Sequence, residues 1–178
     1  MNSWIQPHLF PPPKGHQLNS SNKMVEFSQL GDNEVFSAFT TYGTIALAKV
    51  MLMSVITSFF RITRKAFDNP EDVPNPHKEE NIKKFLRKDD RVDRVLRAHR
   101  NDLENIVPFF CIGLLYSLSD PDLTTALWHF RIFVAARIYH TIAYLTPLPQ
   151  PNRGLSWLIG YIVTFSMVYR LLKNKLYL

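Results

Sequence analysis

The chain has 178 residues, a single cysteine and a formal net charge of +6. That is length for one domain, with no second thiol for a disulfide framework, a CxxC pair or a cysteine metal quartet. Its basic residues alternate with acids instead of forming an uninterrupted run interleaved with aromatics, which argues against a nucleic-acid partner.

The mean hydropathy of -0.10 hides an uneven distribution. Twelve of the 21 Lys and Arg and eight of the 15 Asp and Glu fall between Arg61 and Arg100. Outside that block and the polar first 34 residues, long apolar stretches carry very few charges, the pattern of a polytopic membrane protein.

Residues 1–23 hold Pro7, the run Pro11-Pro12-Pro13, Gly15 and the polar string Gln17 to Lys23. With no apolar core for a secretory signal, they are predicted to be a disordered extension before a domain at 24–178. Asp32 and Glu34 supply acids where a first helix begins. Val35 to Phe60 carries one charge, Lys49, and exceeds the ~20 residues that cross a bilayer as a helix. Lys49 reads as a snorkelling or paired charge.

The charged loop at about 61–100 follows. Asn69-Pro70-Glu71-Asp72 and Pro74-Asn75-Pro76 mark turns in it, ahead of a short amphipathic helix over 81–88. A second span is predicted over 101–119 and closes at the turn Asp120-Pro121-Asp122. It includes Cys111, read as a small buried apolar residue. A third span occupies 123–145. Pro147, Pro149 and Pro151 then interrupt the chain, and a fourth span runs over 153–172 with Trp157, Tyr161, Tyr169 and Tyr177 suited to interfaces. The fold class expected is an all-α membrane protein, a four-transmembrane-helix up-down bundle. The surplus of Lys and Arg in the first loop places that loop in the cytosol, against the weaker pull of the basic residues after Arg170.

Four alternating spans bring the start of the second, the end of the third and the start of the fourth to one side. There Arg97, Asn101, Glu104 and Pro108 form one stripe by their spacing of four, three and four, and Arg137, His140 and Tyr144 form another. Arg137 lies about 12 Å along the helix from Leu145 at the helical rise. At membrane depth it needs an acidic partner, and Glu104 is the one expected. The same pair also reads as a structural bridge that fixes helix packing. Arg61, Arg97 and Arg153 leave a positive surplus suited to a small anionic ligand, and Arg153 stands at a helix amino terminus that also favours negative charge. Arg153 reads equally as a headgroup-facing arginine, and Tyr144 as a membrane anchor. His99 and His140 read as hydrogen-bonding residues before acid–base groups. No nucleophile of the chain stands out and no metal set is apparent, so in an enzyme the nucleophile comes from the ligand.

The strings Asn69-Pro70-Glu71-Asp72, Arg97-Ala98-His99-Arg100-Asn101-Asp102-Leu103-Glu104-Asn105 and Ala136-Arg137-Ile138-Tyr139-His140-Thr141-Ile142-Ala143-Tyr144-Leu145-Thr146-Pro147-Leu148-Pro149-Gln150-Pro151-Asn152-Arg153 closely resemble the membrane-associated proteins in eicosanoid and glutathione metabolism. The likeness runs from Met24 to Leu178.

It implies a homotrimer in the endoplasmic reticulum and mitochondrial outer membranes that binds glutathione between subunits near the cytosolic face. It further implies that Arg61, Arg97, His99, Asn101, Glu104, Arg137, Tyr144 and Gln150 hold the tripeptide, with Arg153 and Tyr144 at the thiolate. Lipophilic electrophiles and lipid hydroperoxides are the implied second substrates, reached from the bilayer. A glutathione-dependent eicosanoid isomerase and a non-catalytic membrane scaffold are the alternatives. The chain departs from close family members at Leu96, where they carry arginine, and at Val73, where they carry cysteine.

Overall fold

The structure, a computed structural model, describes residues 31–175. The extension expected at 1–23 and the interfacial role expected of Tyr177 lie outside the described residues. Within them the secondary structure is helical: α1 (Glu34–Arg64), a 3₁₀ turn (Pro70–Asp72), α2 (Glu79–Phe85), α3 (Asp90–Ser117), α4 (Leu123–Leu145) and α5 (Asn152–Lys175).

Capping chemistry sets several of these limits. Asn33 Oδ1 accepts from the Phe36 amide at 2.9 Å and opens α1, so the cap is Asn33 between the two acids noted in the sequence. Lys65, at φ 50°, ends α1 in a left-handed conformation. Asp89 accepts from the Arg91 and Val92 amides and opens α3 at Asp90, well ahead of the start expected near Asn101. The second long helix therefore projects from the apolar region into the charged loop. Asp122 accepts from the Thr125 amide at 2.8 Å and starts α4 where the sequence placed it.

The long helices alternate in direction. Phe39, early in α1, packs on Phe110 and Gly113, late in α3. Tyr116, at the end of α3, meets His129 near the start of α4. His129 in turn bonds Ser166 late in α5. α3 and α4 touch each other, and each also touches α1 and α5, so the α3–α4 pair forms the middle of the bundle. Its core is aromatic: Phe109 stacks on Phe133 at 3.7 Å, Phe130 stands edge-on to Phe109, and Phe39 stands edge-on to Phe130.

The outer surface is also apolar. Met51, Val55, Phe59 and Ile62 on α1 and Phe165 and Tyr169 on α5 are all more than three-fifths exposed. By length and composition, Glu34–Arg64 and Asn152–Lys173 each suffice to cross a membrane. α3, of 28 residues, and α4, of 23, are also long, but they carry Asp102 and Arg137, charged groups that face the middle of the bundle.

The charged loop is folded back on itself. Phe67 and Leu86 form a β-bridge, Arg87 donates to the Arg64 carbonyl at 3.1 Å, and Val73 is buried beneath. Cys111 is exposed, contrary to the buried position expected. It sits two residues from the buried Phe109 and Gly113, and a rotation of about 100° per residue turns it outward.

Candidate functional site

Arg137 on α4 is fully buried, and so is Asp102 on α3. Arg137 Nη2 donates to Asp102 Oδ1 at 2.7 Å and to Asn101 Oδ1 at 2.8 Å, and it lies 3.3 Å from His140 Nδ1. The second carboxylate oxygen, Asp102 Oδ2, is 2.5 Å from Lys49 Nζ on α1. One carboxylate thus joins three helices and faces two cations.

The acid expected opposite Arg137 was Glu104, and the structure corrects this. Glu104 is exposed on the outer side of α3, two residues and about 200° of helical rotation from Asp102. It borders a cleft of about 220 Å³ between α3 and α5 with Asn105, Pro108, Ile112, Tyr161 and Phe165. Along the stripe predicted on this helix Arg97, Glu104 and Pro108 are exposed and face away from the core, while Asn101 is half-buried and reaches Arg137; Val95, Ala98, Asp102, Ile106 and Phe109 face inward.

Toward the loop side the cluster continues through His140, whose ring packs 5.4 Å from that of Tyr144. The guanidinium of Arg153, in the first turn of α5, lies 4.8 Å over the other ring of this pair, Tyr144, a cation–π contact. Arg94 Nη1 reaches the Tyr144 carbonyl at 3.5 Å. The buried polar atoms Arg137 Nε, Arg137 Nη1 and Arg153 Nε have no protein partner. Buried donors are nearly always satisfied, so these guanidinium nitrogens are donors that lack an acceptor within the chain. Among the described residues no three His, Cys, Asp or Glu side chains gather in a metal-binding group.

The sequence from 39 to 173 matches the MAPEG family, more than half of the chain. The chain belongs to the MAPEG family. It is 68% identical over 155 residues to microsomal glutathione S-transferase 1 of Homo sapiens, and equally so to that of Rattus norvegicus. Each alignment covers 87% of this chain and 100% of the relative. The prostaglandin E synthase of Canis lupus familiaris is 37% identical over 142 residues, covering 80% of this chain and 90% of that protein.

Of the residues singled out in this MAPEG chain, the fold gathers Asn101, Arg137, His140, Tyr144 and Arg153 into one contiguous set. Gln150 stands at the same amino terminus of α5, its Oε1 3.4 Å from the Gly154 amide. Arg97 is exposed and His99 half-buried on the outer part of α3. Arg61, at the end of α1, is paired with Asp68 of the loop. Among the described residues these three and Glu104 are not joined to the set. Sequence reasoning missed Asp102. The available signal was an acid on the apolar stripe Val95, Ala98, Ile106 and Phe109, where a charge survives only with a partner.

Proposed function

We propose that this chain is a membrane-bound glutathione transferase whose nucleophile is the thiolate of bound glutathione. The observation that carries the reading is the set of unpartnered guanidinium edges of Arg137 and Arg153 beside Tyr144, in a chain 68% identical to microsomal glutathione S-transferase 1. Glutathione carries two carboxylates, and guanidinium groups are suited to bind them in pairs.

In this reading the chain crosses the membrane four times through α1, α3, α4 and α5. The charged loop is cytosolic, and three copies associate in the endoplasmic reticulum and mitochondrial outer membranes. Assembly supplies the arrangement one subunit lacks: Arg97 and Glu104 are exposed and Arg61 and His99 half-buried outside the gathered set, and a neighbouring copy closes the site around them. Asn101, Arg137 and Gln150 hold the tripeptide together with them. Arg153, at the positive end of α5, and the hydroxyl of Tyr144 stabilise the sulfur.

Chemistry then follows from the thiolate. The thiol loses its proton to solvent, favoured by the cations around it. The sulfur attacks an electrophilic carbon, forming the C–S bond as the bond to the leaving group breaks and that group departs with the electron pair. With a lipid hydroperoxide, the sulfur attacks the terminal oxygen and the O–O bond breaks. The lipid leaves as an alcohol after taking a proton, and a second glutathione converts the sulfenic acid to disulfide and water.

Arg153→Ala is expected to lower the thiolate signal and turnover on the order of 100-fold, the loss typical of a donor to a developing anion. Thiolate absorbance on adding glutathione to the detergent-purified protein measures it. A signal equal to that of the unsubstituted chain removes Arg153 from this role, and no signal in either protein, with no binding, favours a scaffold. The relation to a prostaglandin E synthase supports a second reading, an eicosanoid isomerase. Product analysis with a prostaglandin endoperoxide beside an aryl halide separates the two.

A further inference from the structure

Lys49 lies midway along α1 with its side chain 12% exposed, and its only partner among the described residues is Asp102 Oδ2 at 2.5 Å. The other oxygen of the same carboxylate holds Arg137 at 2.7 Å. We infer that Lys49 is a positioning residue for the glutathione site: by occupying one oxygen of Asp102 it prevents the carboxylate from neutralising Arg137, and so leaves one net positive charge for the ligand thiolate. The inference rests on the glutathione reading above.

The geometry supports it at each contact. Arg137 meets Asp102 through a single nitrogen, Nη2, and not through the paired fork that guanidinium and carboxylate usually form. Its Nε and Nη1 stay buried and without a partner. Two cations and one carboxylate therefore share the bundle interior with a surplus of one. The charged and titratable groups around this surplus are Lys49 on α1, Asp102 on α3, Arg137 and His140 on α4 and Arg153 on α5, and all the others act electrostatically on His140. His140 packs on Tyr144, and Tyr144 carries Arg153. With Lys49 made neutral, Asp102 is free to take Arg137 with both oxygens, and the surplus disappears.

One unit charge removed at roughly 10 Å, with an effective dielectric near 20, changes a protonation equilibrium about tenfold. The test is a pH titration of thiolate absorbance for glutathione bound to the full-length protein in detergent, with helicity and thermal unfolding followed in parallel. Lys49→Met is expected to raise the midpoint, giving about tenfold less thiolate below it, while Lys49→Arg keeps the midpoint of the unsubstituted chain.

The double variant Lys49→Met with Asp102→Asn restores the surplus of one, because Arg137 keeps its charge and loses its counter-ion. Its midpoint is expected back near the original. A merely structural lysine predicts the reverse, a double variant at least as impaired as the single. If Lys49→Met alone does not fold, Lys49→Gln, which keeps a hydrogen bond to Asp102 without the charge, decides by the same midpoint. An unshifted midpoint in folded Lys49→Met, or a raised one in the double variant, overturns the role of Lys49 and leaves the glutathione reading standing. An unsubstituted protein that forms no thiolate overturns both.

Discussion

Asp102 and Glu104 stand two positions apart on α3 and have opposite fates, one buried in an ion pair and the other exposed at a cleft. The difference has a measurable consequence. Asp102→Ala leaves Lys49 and Arg137 facing each other without a counter-ion. Breaking a buried pair in this way costs about 3–5 kcal/mol, so the variant is expected to lose most of its thermal stability in detergent. Glu104→Gln removes no contact from the bundle interior and should move stability by less than ~0.5 kcal/mol, while weakening glutathione binding. Equal destabilisation by both would contradict the pairing. The need of Arg137 for an acid was legible from its depth in an apolar helix; the choice between two nearby acids was not, since it turns on the rotation of α3 about its axis.

Among the helices, α1 meets α3 tightly at Gly113. A Cβ on Gly113 would lie 2.6 Å from Phe39 Cε2, and the ring cannot swing aside because it is held against Phe110 and Phe130. Gly113→Leu is expected to cost about 3 kcal/mol through overpacking, more than the ~1 kcal/mol of helix propensity regained. Adding Phe39→Ala should recover part of it, a coupling readable from a double-mutant cycle of unfolding midpoints.

At the start of α4, the hydrogen bonds from Thr125 hold the Asp122 carboxyl below its ordinary value of 3.8. A lowered value means the cap contributes stability above pH 3.8 and loses it as the pH falls through the folded-state value. Asp122→Ala should therefore melt earlier than the unsubstituted chain at neutral pH, and the gap should narrow below pH 3.8; a gap constant with pH would assign the effect to packing. The limits of α4 were readable because a cap and a proline-rich turn bracket it. The early start of α3 was not, because its first turns are charged and sit within a loop-like composition.

For the whole molecule, the exposed apolar belt on α1 and α5 and the membership in a membrane-associated family fit a bilayer as the surrounding medium. The thiol chemistry is equally global. Cys111 is the single cysteine and lies exposed on α3, whereas the buried Val73 occupies the loop beneath the 3₁₀ turn. A maleimide is expected to label Cys111 alone and to leave glutathione transfer unactivated. A clear rise in turnover on labelling, traced to the loop, would overturn this.

The amino-acid sequence by itself determined the family, the long apolar helices and the polar strings at their loop-side ends, because these rest on composition and on local hydrogen bonding that a linear pattern records. The gathering of Asn101, Arg137, His140, Tyr144 and Arg153, and the place of Lys49 and Asp102 beneath them, were decided only by the tertiary structure. A charge inside the bundle is stable only where another helix brings its counter-ion, and which residues meet depends on how α1, α3 and α4 are rotated against one another as their aromatic core closes.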